Sequence, residues 1–174
     1  MSAVYLITGI QAAGKSTVAQ ALAERLPRAA HVRGDAFRRM IVSGGAPMTP
    51  DAGDDALRQL RLRYRIAAAA ADLYAGEGFT AVVQDVVLGQ ELELFTRLVT
   101  TRPLMVVVLA PDAATVARRE AERGKTAYGA WTVAALDEGL RRDTPRIGLW
   151  LDTSAQTPAE TVEEILARTD EARV

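Results

Sequence analysis

Gly9-Ile10-Gln11-Ala12-Ala13-Gly14-Lys15-Ser16 fits the pattern G-x-x-x-x-G-K-[ST], a loop whose backbone N–H groups cradle phosphates. Its flanks supply the context that the pattern needs. Val4 to Ile7 is a short apolar run and reads as a buried strand. From Ser16 to Leu26 the apolar residues Val18, Ala21, Leu22 and Leu26 recur at helical spacing. The loop therefore joins a strand to a helix. Gly9 and Gly14 can adopt backbone angles that other residues resist, so successive N–H groups can turn inward at a helix N-terminus. In such a loop the lysine, Lys15, meets β/γ-phosphates and the Ser16 hydroxyl ligates Mg²⁺. The nucleotide-contacting set runs from Gly9 through Ser16 and includes Thr17. Lys15 is expected on the solvent side of the loop, where its removal would leave the core intact.

Composition sets the outer bounds. The 174 residues suffice for one domain with a substantial core, and no repeat, linker or low-complexity segment divides them. A net charge of −1 gives no general attraction to nucleic acid or to a membrane surface. The chain has no cysteine, which excludes a disulfide framework, a zinc–thiolate site and a thiol nucleophile. Met1-Ser2 leads straight into the first strand with no signal peptide, and the longest apolar run, Leu104 to Ala110, is too short to span a bilayer. A cytoplasmic protein is the expectation. Of 21 basic residues, 19 are arginine and only Lys15 and Lys125 are lysine, a skew that suggests a GC-rich coding background. Lys15 belongs to the phosphate loop; Lys125 has no assigned role.

Strand-like and helix-like stretches alternate along the rest of the chain. His31 to Arg33 reads as a second strand and Thr80 to Val87 as a third. Leu104 to Leu109 reads as a central strand and Ile147 to Leu151 as a fifth. Helices are expected from Ala36, from Asp55 to Ala75, and from Leu88 to Leu98. Others are expected from Asp112 to Arg123 and after Thr157, where Thr157-Pro158-Ala159-Glu160 has the form of a capping box. Leu57, Leu60, Tyr64, Ala68, Ala71 and Leu73 or Tyr74 are the expected buried stripe of the long helix. This alternation predicts an α/β sandwich around a parallel sheet. Ligands of such sheets bind beyond the carboxyl ends of the strands, which selects Thr8 to Ser16, Asp35, Asp85, Pro111 and Asp152 to Ser154.

Asp35 and Asp85 both end strand-like runs on that edge. Phosphoryl transfer has two tasks for carboxylates: one orients or deprotonates the attacking hydroxyl, the other holds Mg²⁺ or its water shell. Aspartate at a strand end is also a common turn former. Between His31 and Arg65 lie seven arginines and four aspartates, a net +3. Arg58, Arg61 and Arg65 share a helix face, and Arg38 follows Asp35 by three positions. A second basic cluster, Arg118, Arg119, Arg123 and Lys125, precedes the polar stretch Gly124 to Arg146. Arginines there can close over a transferring phosphate.

Five segments stand in one order: the phosphate loop, Gly34-Asp35-x-x-Arg38, Val83-Gln84-Asp85-Val86, Arg119-x-x-x-Arg123 and Leu151-Asp152-Thr153-Ser154. That order resembles small P-loop kinases of the nucleoside-monophosphate-kinase-like fold. Within that fold it looks most like the chloramphenicol phosphotransferase-like proteins, with gluconate kinases, adenylylsulfate kinases and zeta toxins as relatives. The resemblance implies a three-layer P-loop NTPase fold, a five-stranded parallel sheet of order 2-3-1-4-5 with helices on both faces. It implies a lid at about 124–146 and an acceptor-side insertion at about 36–75, within a single domain over 1–174. ATP and Mg²⁺ are the implied cofactors. Asp35 matches the base that activates the acceptor, Arg119 and Arg123 the lid arginines, and Thr153-Ser154 the edge of the adenine pocket; Ser16 and Asp85 are the metal candidates. The acceptor is expected to be a compact hydroxyl-bearing molecule contacting Asp35, Arg38, Asp85 and Arg61, with Arg58 as a further cation. Met40, Ile41, Met48 and Tyr64 would supply apolar contact. A nucleotide or nucleic-acid 5′-end kinase, a zeta-like toxin kinase and a non-catalytic regulatory nucleotide-binding module are the competing readings. The last would want an N/T-K-x-D segment, which neither lysine provides.

Overall fold

The computed structural model describes residues 2–124 and 131–174. Five parallel strands form one sheet: β1 (Val4–Thr8), β2 (Ala29–Arg33), β3 (Thr80–Gln84), β4 (Leu104–Leu109) and β5 (Leu149–Leu151). Their order is β2-β3-β1-β4-β5, as the resemblance implied. Every residue of β1 and β4 is buried, which explains why both read as unbroken apolar runs rather than as alternating patterns.

The connecting helices are α1 (Lys15–Arg25), α2 (Gly34–Arg39), α3 (Asp54–Gly76), α4 (Gln90–Leu98), α5 (Ala113–Glu122), α6 (Val133–Glu138), α7 (Pro158–Ala167) and a short C-terminal α8 (Thr169–Ala172). From β1 to β2 the chain moves one way along the sheet, and from β2 to β3 it moves back. Right-handed crossovers then put α1 and α3 on opposite faces. The capping box of α7 forms as expected: Thr157 Oγ1 accepts from Glu160 N, and Glu160 accepts from Thr157 N. Among the described residues no helix is long and apolar enough to cross a membrane.

The buried seam of α3 differs from the expected stripe. Ala56, Tyr64, Ala67, Ala68, Ala71 and Ala75 are buried, while Leu73 and Tyr74 lie outside. The alanines let the helix approach the sheet closely, and Tyr64 packs edge-on against Phe95 at 6.0 Å. Strand β3 also stops earlier than expected, at Gln84. Beyond it the Asp85 carboxylate takes the Val86 N–H, and the Thr8 hydroxyl pairs with both Val87 N and Val87 O, so side chains replace the ladder. β5 starts later than expected, at Leu149, because Gly148 at φ +72° is outside the extended range; it also lies so close to Val106 that no Cβ would fit.

Candidate functional site

The phosphate loop follows β1 directly. Gly9 adopts φ +147° against the Leu109 carbonyl, and Gly14 adopts φ +95° at the start of α1. Ala12 also has a positive φ, +60°, a left-handed conformation that a non-glycine residue adopts at a cost of about 1–2 kcal/mol. Ile10 and Ala13 are buried and joined by the Ala13 N–H to the Ile10 carbonyl, Ser16 is half-buried, and Thr17 is exposed. Lys15 corrects the expectation of a solvent-side lysine. It is buried, its Nζ donates to the Ile10 carbonyl at 2.7 Å, and burial lowers its pKa from 10.5 to about 8. That value includes the opposing pull of Asp85, which raises it, and the smaller effects of Arg123 and Arg63, which lower it.

Asp85 and Asp35 occupy different environments. Asp85 is buried, with Oδ1 accepting from Arg63 Nη2 and Val86 N, both at 2.7 Å. Burial raises its pKa, against the pull of Arg63, Val86 N–H and Lys15. Its Oδ2 has no hydrogen-bond partner. Gly34 stands beside this carboxylate; a Cβ there would overlap it, so only glycine lets the start of α2 approach. Asp35, the next residue, is half-exposed; Oδ1 accepts from Arg38 Nε at 2.8 Å, and Oδ2 forms an ion pair with Arg39, whose Nε is 2.9 Å away. Partial burial pushes its pKa up, but the Arg38 hydrogen bond and the charges of Arg38, Arg39 and Arg63 outweigh that and hold it below the ordinary carboxylate range. Asp35 is therefore an ionised carboxylate at the surface of the site, and Asp85 is a carboxylate on its floor.

Across the loop, Arg119 of α5 spans to the turn after β5: Nη1 donates to the Ala13 carbonyl and Nη2 to the Thr153 carbonyl at 3.0 Å. A cleft lies beneath it, lined by Ala12, Gly14, Thr17, Arg119, Arg123, Thr153 and Gln156. Thr153 is buried with an unpartnered hydroxyl, whereas Ser154 is turned away into the strand-end loop, accepting from Asp112 N and donating to Asp152. Of the expected lid, 125–130, with Lys125, lie outside the described residues. Its far end is anchored: Leu140 is fully buried in the π-helical turn Gly139–Asp143, and Thr144 accepts from Gly89 N.

On the other side of Asp35, α2, the segment 40–53 and α3 enclose a second, apolar pocket lined by Phe37, Arg38, Ile41, Met48, Leu60, Leu62, Arg63 and Ile66, among others. Trp131 Nε1 donates to the Met48 carbonyl and ties the chain after 130 to its rim. Ile41 and Met48 line this pocket as expected, but Met40 points to solvent and Tyr64 lies in the core, donating to the Val86 carbonyl. Arg61 is held by both oxygens of Glu91, and Arg58 by Asp55. Arg63 takes the place expected for Arg61. Its sequence signal was its spacing: it precedes the buried Ala67 and Ala71 by four and eight positions, which sets it on the inward seam.

A family model described as an AAA domain matches residues 4–146. The chain belongs to that family. No curated protein matches it. Among solved structures it is similar to a Janibacter sp. sugar kinase, at 20% identity and TM-score 0.73 over 99% of this chain and 96% of that one. It is similar to the Mycobacterium tuberculosis APS kinase bound to AMPPNP and APS, at 19% identity and TM-score 0.71 over 97% of this chain and 98% of that one. A Sinorhizobium meliloti gluconokinase aligns at 22% identity and TM-score 0.61 over 95% of this chain and 90% of that one. These likenesses bear out the P-loop kinase fold.

Proposed function

We propose that the protein is an ATP-dependent phosphotransferase that moves the γ-phosphoryl group to a hydroxyl of a small molecule, acting as a single domain in the cytoplasm. One observation carries the reading: the buried Asp85 feels the charge of Lys15 from the phosphate loop and is paired with Arg63, which lines the apolar pocket, while Asp35 follows Gly34, whose backbone abuts the same carboxylate. A nucleotide in the cleft and an alcohol in the pocket would thus face one another across charged groups of complementary sign.

The groups divide the work by environment. The phosphate loop and Lys15 would bind the β- and γ-phosphates, exchanging the Ile10 carbonyl for phosphate oxygen at the lysine. Asp35, held ionised by Arg38 and Arg39, would orient the acceptor hydroxyl and take its proton as the oxygen–phosphorus bond forms and the bond to ADP breaks. Arg119 and Arg123 would stabilise charge on the transferring group. Asp85, whose Oδ2 is buried without a hydrogen-bond partner, and the Ser16 hydroxyl are the groups that would hold Mg²⁺, which would supply neutralisation of phosphate charge. Among the described residues no three histidine or acidic side chains converge, so its remaining ligands would be phosphate oxygens and water.

The test is an ATP-consumption screen over antibiotics, sugars and nucleosides, with Lys15→Met as the control. Acceptor-dependent ADP release by the wild type alone supports the reading. ATP binding without turnover on any acceptor would favour a regulatory nucleotide-binding module.

A further inference from the structure

The pocket between α2, the segment 40–53 and α3 carries enough chemistry to narrow the acceptor. Its walls are mostly carbon, with Phe37, Ile41, Met48, Leu60, Leu62 and Ile66; Gln59 also lines it, but its amide is committed to Ala46 N, the Gly44 carbonyl and Asp55. Leu62, Ile66 and Met48 stay 42%, 38% and 43% exposed, apolar surface on a concave wall that a ligand would remove from water. The polar content is small. Arg63 reaches the pocket with Nη2 committed to Asp85, and its buried Nε has no acceptor. An unmet buried donor is costly, and a ligand oxygen placed there would relieve it.

The arginines around the pocket are engaged by carboxylates, Arg38 and Arg39 sharing one. Arg38 and Arg39 sit on Asp35, Arg58 on Asp55, and Arg61 on Glu91. The arginines that line the pocket, Arg38 and Arg63, each hold a carboxylate, so neither is presented to a phosphate or carboxylate as a free cation. Stripping water from sugar hydroxyls against carbon would be unfavourable as well.

Resting on the phosphotransferase reading, we infer that the acceptor is an uncharged alcohol with an apolar body, aromatic or branched aliphatic, and one hydrogen-bond-accepting oxygen. The body lies between Phe37 and Ile66, the accepting oxygen takes the Arg63 Nε–H, and the hydroxyl is left toward Asp35. In transfer the alcohol oxygen bonds to the γ-phosphorus, the bond from that phosphorus to ADP breaks, and the hydroxyl proton passes to Asp35. Sugars, sugar acids and nucleoside monophosphates are disfavoured as acceptors.

The full chain, loaded with AMPPNP and Mg²⁺ and labelled at isoleucine and methionine methyls, is titrated with phenoxyethanol and hydroxyethyl benzamide, and in parallel with gluconate, ribose and AMP. Expected is that the two aromatic alcohols shift Ile41, Met48 and Ile66 methyls, with affinity at least about tenfold above that of the polar set. Ile66→Asn, at an exposed rim position, weakens them by about the same factor and leaves AMPPNP affinity unchanged. Leu62→Asn serves if Ile66→Asn fails to fold. Absence of methyl shifts from both aromatic alcohols, or tighter binding of gluconate or AMP, overturns the inference. Phosphate transfer to gluconate or AMP alone also overturns it, and leaves the phosphotransferase reading standing. Aromatic alcohols bound in the pocket with no ATP turnover on any acceptor overturn that reading, and the acceptor role with it.

Discussion

The groups that would grip phosphate come from Gly9 to Thr17, one uninterrupted turn of chain after a buried strand, and most of them are backbone N–H groups. The pocket on the other side of Asp35 is assembled from α2, a loop and α3, with contributing residues from Phe37 to Ile66, and it works through side chains. The first region is pinned: Gly9 presses on Leu109, and Ile10 and Ala13 are in the core. The second stays half open, with Met48, Leu62 and Ile66 exposed on its wall and Arg38 and Arg63 engaged with neighbouring carboxylates. A site made of local backbone recognises a group common to all nucleotides. A site made of distant side chains can be altered without disturbing the fold, and that is where specificity can vary.

The sharpest way to break this contrast is Lys15→Met. Turnover should fall by at least about a thousandfold, the upper range for removing one preorganised donor to a transition state. The same change bears on stability, with a worked sign. The folded lysine has its pKa lowered from 10.5 to about 8, so the unfolded chain holds the proton more tightly. Stability of the nucleotide-free wild type should therefore rise as pH increases from about 8 to 10.5, and Lys15→Met should lack that rise. At pH near 7 the mutant should be more stable by about 1–3 kcal/mol, measured by urea unfolding. Near-wild-type turnover in the mutant would remove the loop from the mechanism.

Asp35→Asn addresses the second region and should lower turnover by about a hundredfold, the scale of a positioned base, with ATP affinity little changed. A fall in ATP affinity without a fall in turnover would exchange the roles of Asp35 and Asp85. Gly34→Ala tests the seam between the regions. Its Cβ would drive against the Asp85 carboxylate, and overpacking of this kind costs about 1–3 kcal/mol in thermal or chemical unfolding. Unchanged stability would mean that Asp85 is free to move.

Smaller effects sharpen the comparison further. Arg61→Ala removes a solvent-screened pair with Glu91 and should leave stability little changed and the acceptor KM within about twofold. A large, selective rise in that KM would restore Arg61 as an acceptor ligand. Ala12→Gly should be nearly neutral or stabilising by up to about 1 kcal/mol, because glycine relieves the left-handed backbone but is freer when unfolded. Loss of stability would show that the Ala12 methyl packs better than its conformation costs.

Short-range physics was legible in the chain. The strand–loop–helix pattern around Gly14, the capping box at Thr157 and the apolar runs of β1 and β4 each depend on residues within a few positions of one another, so spacing reveals them. Asp35 and Asp85 were legible as strand ends, but their different electrostatics were not. Burial beside Lys15 and the Arg63 guanidinium decide those, and both are contacts across the fold. Tertiary structure also chose Arg63 over Arg61: the alanine seam draws α3 onto the sheet and turns one arginine inward while Glu91 captures the other. It drew Lys15 out of solvent and buried Tyr64 against Phe95. Sequence by itself determined the phosphate loop and the α/β alternation, because those follow from local backbone geometry and periodicity. Which charges are paired, buried or free was decided only by packing, because ion pairing and desolvation depend on neighbours tens of residues away.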